Sequence, residues 1–96
     1  MAAHKEGKIE AYLVEQVEHH GGLIRKATWA GRRGCPDRYI AFPGGHCGFV
    51  EVKAPGEKLA PHQAREVERL RNHGVRVGVI DNYDAVDLMI ANWSRK

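Results

Sequence analysis

The sequence predicts an α/β (α+β) fold in the order αβββαβα, with helices packed on one mixed sheet. Three observations carry this expectation. Apolar residues recur at the helical period near the start, between Pro61 and Asn72, and after Asn82. Short runs rich in β-branched and aromatic residues, bounded by glycine and proline turns, fill the intervals. The last of these runs follows a helix, and a strand reached by a helical crossover joins its sheet parallel to a neighbour. The three runs before it are linked by shorter connections and pair antiparallel.

Residues 5 to 20 place Ile9, Leu13 and Val17 on one helical stripe, with Tyr12 and Val14 at its margins, and Gly21-Gly22 stops the helix. Leu23 to Thr28 and Asp37 to Phe42 read as strands on either side of the loop Gly31-Arg32-Arg33-Gly34. Its glycines permit positive φ and a close approach of backbone to a ligand. Pro43-Gly44-Gly45 turns the chain into a third strand, Gly48 to Lys53. Pro61 suits the first turn of a second helix that buries Val67 and Leu70, runs to about Asn72 and stops at Gly74. The valine-rich run Val75 to Asp81 is the fourth strand. Val86, Met89, Ile90 and Trp93 then mark a third helix capped near Asn82.

With 96 residues and 43% hydrophobic content, the chain has enough apolar side chains for one core and too few for two, so residues 1–96 are read as one domain. No run of about 18 apolar residues offers a membrane span, and the N-terminus, with His4, Lys5, Glu6 and Lys8, lacks the apolar stretch of a secretory signal. A cytoplasmic location follows, in which Cys35 and Cys47 are reduced structural thiols outside any CxxC pair. A zinc site built from these cysteines, His46 and another histidine would need irregular spacing. The net charge is +3, and it becomes more positive if a metal neutralises some acids, so a polyanion suits this surface. Arg25, Lys26, Arg32, Arg33 and Arg38 crowd the approach to Asp37. A merely solvated basic face is the alternative.

Asp37 and the triplet Glu51-Val52-Lys53 carry the candidate chemistry. Strand side chains alternate, so Glu51 and Lys53 share a face while Val52 enters the opposite, apolar layer. Asp37, at the start of the neighbouring strand, can lie beside Glu51. Two converging carboxylates repel unless a cation lies between them, and hard oxygen ligands select Mg²⁺ or Mn²⁺. Glu10 falls on the apolar stripe of the first helix, where an unpaired carboxylate costs several kcal/mol. It needs either the same cation or a basic partner at the core edge. Gln63 is centred on the stripe of the second helix, either orienting Lys53 or a water, or lying at the exposed helix start. His62 reads as a solvated first-turn histidine, and Trp29 and Trp93 as core or interface anchors without a second aromatic at suggestive spacing.

Taken in order, Glu10, Gly34-Cys35-Pro36-Asp37, Glu51-Val52-Lys53 and Gln63 resemble the VRR-Nuc family of the PD-(D/E)xK nuclease superfamily, in its stand-alone phage or bacterial type. The resemblance spans most of the chain. It implies a restriction-endonuclease-like fold and a metal-dependent DNA endonuclease, with Asp37, Glu51 and the Val52 carbonyl on Mg²⁺ or Mn²⁺. It also implies that Glu10 joins the site directly or through water, that Lys53 serves catalysis and that Gln63 matches the second-helix glutamine. Stand-alone members are similar to Holliday junction resolvases, which implies a homodimer acting on branched DNA in repair, in a phage or bacterial host cell. Trp29 and the third helix are the expected dimer contacts. Lys26, Arg32, Arg33 and Arg38 would hold flanking phosphates. Ala60 departs from the pattern, since a serine or threonine usually caps such a helix, at a cost of about 1 kcal/mol. The competing expectation is a non-catalytic nucleic-acid-binding or assembly module with the same fold, although carboxylates in a cationic groove would repel its ligand.

Overall fold

A computed structural model describes residues 2–94. Its elements follow the expected order: α1 (Ala2–His19), β1 (Leu23–Lys26), β2 (Arg38–Phe42), β3 (His46–Val52), α2 (Pro61–Asn72), β4 (Val77–Ile80) and α3 (Tyr83–Trp93). The four strands form one sheet in sequential order, β1-β2-β3-β4. The first three pair antiparallel, and β4, reached through α2, runs parallel to β3. The sheet is therefore mixed, as the crossover requires.

Local chemistry explains where the elements stop. Gly21 adopts φ +77 and lets the Gly22 amide donate back to the Val17 carbonyl at 2.9 Å, which closes α1. β1 ends at Lys26, earlier than the sequence reading, because the chain leaves the sheet after the Ala27 amide bonds the Asp37 carbonyl at 2.9 Å. β4 starts later than expected because the Val75 amide is spent on the Leu70 carbonyl of α2 at 3.0 Å. Asn82 caps α3, its Oδ1 accepting from the Ala85 amide at 2.8 Å. At α2 the Ala60 side chain caps nothing, yet the Ala60 amide donates to Gln63 Oε1 at 2.9 Å, the reciprocal half of a capping box.

Alternation along the strands divides the molecule into two layers. Ile40, Phe42, Val50, Val52 and Ile80 face α1 and α3 and join Ile9, Leu13, Val17, Val86, Ile90 and Trp93 in the main core. Gly48 lies on this face too, where a Cβ would come within 2.8 Å of the Trp93 ring. The opposite face carries Tyr39, Phe49, Glu51 and Lys53 and is covered by α2 and by residues 27–36. Trp29 packs there against Phe49 with ring centroids 5.0 Å apart, and Tyr39 against Phe49 at 5.4 Å. These are the aromatic partners that spacing along the chain did not show.

Candidate active site

The second face brings Asp37, Glu51, Lys53 and Gln63 together. Asp37 immediately precedes β2, and the β2–β3 register sets Arg38 opposite Val50, so Asp37 and Glu51 lie side by side at the same end of adjacent strands. Asp37 is exposed, whereas the Glu51 and Lys53 side chains are only 14% and 12% exposed. Lys53 Nζ stands 3.9 Å from Glu51 Oε2, and Gln63 Nε2 donates to the same oxygen at 3.5 Å. Gln63 lies at the helix start, its Oε1 accepting from the Ala60 amide, and its Nε2 reaches Glu51 rather than Lys53.

Burial, first, and the Asp37 charge, second, push the Glu51 carboxyl up to about 7, with Lys53 opposing and Glu6 and Glu57 adding to the rise. A carboxylate that resists ionisation beside a second carboxylate is a place where a cation lowers the energy. Among the described residues no three His, Cys, Asp or Glu side chains converge as a ready metal cluster. Two hard carboxylates and a backbone carbonyl nevertheless fit Mg²⁺, which keeps several waters and takes one or two protein carboxylates.

Glu10 is not brought into this pair. Its carboxylate is ion-paired with Arg38 across the edge of the main core. As the first residue of β2, Arg38 points to the face opposite Asp37, towards α1. Glu10 thus has the basic partner that was the alternative to a cation, and the Arg38 side chain is only 19% exposed. Glu6, one helical turn before Glu10, is the α1 acid whose charge Glu51 feels; its i,i+4 spacing from Glu10 was the available signal. Arg32 and Arg33 are exposed in the β1–β2 loop, whereas Lys26, exposed as well, pairs with Arg38 and shares its face of the sheet.

Glu66 of α2 has no counterpart in the sequence reading. It accepts from Arg32 Nη2 at 2.9 Å, Arg69 Nη1 at 2.8 Å and Cys35 Sγ at 3.5 Å. The Arg32 guanidinium above all holds its carboxyl below the usual range, and burial pushes the Cys35 thiol up. Both cysteines are free thiols.

The VRR-NUC domain pattern matches residues 4–82 of this chain. The chain belongs to the VRR-NUC family. This VRR-NUC domain is 46% identical over 87 residues to a protein named "Putative nuclease p44" from Acyrthosiphon pisum secondary endosymbiont phage 1, across 91% of this chain and 94% of the phage protein. A solved VRR-NUC domain structure superimposes with a TM-score of 0.84 at 41% identity, covering 93% of this chain and 97% of the other. That agreement establishes the α+β architecture of the family for the mixed sheet and its helices.

Proposed function

We propose that this nuclease domain is a metal-dependent, structure-selective DNA endonuclease that hydrolyses phosphodiester bonds in branched DNA. The observation that carries the reading is the pairing of Asp37 with a Glu51 whose carboxyl is pushed up to about 7, beside Lys53. Asp37, Glu51 and the Val52 carbonyl would hold Mg²⁺ or Mn²⁺. When bound, the cation supplies charge neutralisation and Lewis acidity for displacement at phosphorus. Lys53 positions the attacking water or stabilises charge developing on the phosphate oxygens, and its place next to Glu51 suits either act. Water adds to phosphorus, the P–O bond to the leaving strand breaks, and a proton passes to the departing oxygen. Gln63 fixes the orientation of Glu51 by its amide.

Arg33 and the free side of Arg32 hold the flanking phosphates, which gives affinity without base readout. Branch selectivity then comes from shape, and two sites on a homodimer would address two strands of a junction. Of the two contact regions expected from sequence, Trp29 is engaged internally, its Nε1 donating to the Pro36 carbonyl at 2.7 Å. α3 keeps Leu88 66% exposed, next to Val79 on the edge strand β4. This second patch is the better candidate for a dimer contact.

The test is cleavage of a labelled four-way junction and its matched linear duplex with Mg²⁺, Mn²⁺ or EDTA, comparing the intact protein with Asp37→Ala. Metal-dependent cutting confined to the junction and lost in Asp37→Ala is expected. Equal cutting of both substrates would remove the branch selectivity, and cutting in EDTA would remove the metal. Lys53→Ala is expected to bind the junction with wild-type affinity while cleavage falls by about 100-fold or more; normal cleavage by that variant would refute its assigned role.

A further inference from the structure

Glu66 is the sole buried charged residue among the described residues, 7% exposed, and the chemistry above does not use it. An ionised carboxylate taken out of water is tolerated only with strong compensating donors. Two of its three donors, Arg32 and Cys35, come from the β1–β2 loop, and the third, Arg69, from its own helix. Between the two loop donors lies Gly34, at φ +80, where a Cβ would stand 2.8 Å from the His62 ring and 3.1 Å from the His62 carbonyl oxygen. The loop therefore rests directly on the first turn of α2, two residues before Pro36 gives way to Asp37.

On its other side the same turn is held by the Trp29 indole on the Pro36 carbonyl and by the Ala27 amide on the Asp37 carbonyl. The Asp37 carboxylate itself is exposed, so its position depends on the backbone beneath it. We propose that Glu66 is a positioning residue that latches residues 32–35 to α2 and thereby sets the Asp37 carboxylate opposite Glu51. Gln63 and Glu66 are three residues apart, neighbours on one helical face. One turn of α2 thus aligns both acids, Glu51 through the Gln63 amide and Asp37 through the Glu66 latch. This rests on the metal reading above and adds a residue outside the site to it.

Mn²⁺ titration of the intact protein without DNA, followed by calorimetry, separates the two readings. Asp37→Ala defines the loss of the site. Glu66→Ala is expected to weaken Mn²⁺ binding about 10-fold or more, the usual effect of removing a group that orients a metal ligand. Glu66→Gln, whose amide oxygen still accepts from Arg32, should recover most of the affinity. Arg69→Ala removes a partner of Glu66 that does not touch the loop and should leave binding unchanged. Should Glu66→Ala fail to fold, Arg32→Met breaks the latch from the loop side and carries the same expectation. Wild-type Mn²⁺ affinity in Glu66→Ala or, where that variant does not fold, in Arg32→Met, with binding lost in Asp37→Ala, would overturn the latch, as would an Arg69→Ala loss equal to that of Glu66→Ala. A wild-type protein that binds no Mn²⁺ would overturn the metal reading and the latch with it.

Discussion

Glu51 and Glu66 are acids with opposite effects on the fold. Glu51 is held near its neutral form by burial and by Asp37, so in the metal-free protein its ionisation costs stability. The stability its proton gives is full below the ordinary glutamate pKa and is lost as pH rises through about 7. Urea unfolding in EDTA at pH 8 should find Glu51→Gln more stable than the wild type, by on the order of 1–3 kcal/mol, while cleavage is abolished. A less stable Glu51→Gln would contradict the repulsion at the site. Glu66, by contrast, is held low by Arg32, so its contribution is complete above the ordinary glutamate pKa and disappears as pH falls through its lowered folded value. Thermal melting from pH 7 to pH 3 should show the wild type's advantage over Glu66→Gln constant at first and then shrinking; an advantage that widened in acid would reverse the sign. Asp37, Glu51 and Lys53 were legible in the sequence because strand alternation alone sets two of them on one face. Glu66 was not. Beside Val67 on an amphipathic helix it reads as a solvated acid, and its reason for burial lies in Arg32 and Cys35, which only the folded loop brings to it.

The elements obey their local signals except where a backbone group has another use. The helices, their caps and the crossover were readable from periodicity and from Pro61, Gly74 and Asn82, while β1 is shorter than read because the chain leaves the sheet after Ala27, and β4 because Val75 bonds the Leu70 carbonyl of α2. Tyr39 and Phe49 are ten positions apart in the chain but direct partners in the β2–β3 register. Trp29 therefore acquires in Phe49 an aromatic neighbour that no spacing rule announces. At Gly48, β3 closely approaches both the Trp93 ring of α3 and the Arg76 carbonyl, each 2.8 Å from a Cβ placed there. Gly48→Ala should destabilise the protein by about 1–3 kcal/mol in urea titration, since backbone and an indole must both yield. An unchanged midpoint would mean that α3 is not seated as described.

At the scale of the whole molecule, one sheet separates a helical core from a chemical face. The order of elements and the mixed sheet were legible because each connection admits few topologies. A surface on which copies of the chain could meet was not, because exposure is a property of the finished surface. If the Leu88 and Val79 patch joins two copies, Leu88→Lys should shift sedimentation from dimer towards monomer without lowering the monomer's melting temperature, as Leu88 is already 66% exposed. Unchanged sedimentation would move the contact elsewhere.

The helical layer joins the first element to the last: Tyr12 of α1 donates to Asp87 of α3 at 2.7 Å and stacks on Tyr83 with ring centroids 4.5 Å apart. The family pattern stops at residue 82, yet Val86, Ile90 and Trp93 beyond it fill the main core. During synthesis the β1–β3 meander can pair early and α1, which contacts β1 and β3 directly, can dock on it, but the part of the core that α3 covers stays open until that helix is made. Closing so long a loop is slow to reward, so α3 contacts form late in folding. In stopped-flow measurements Val86→Ala should therefore speed unfolding and barely slow refolding. The nascent chain is thus most vulnerable to proteases and to self-association in the moments before α3 arrives.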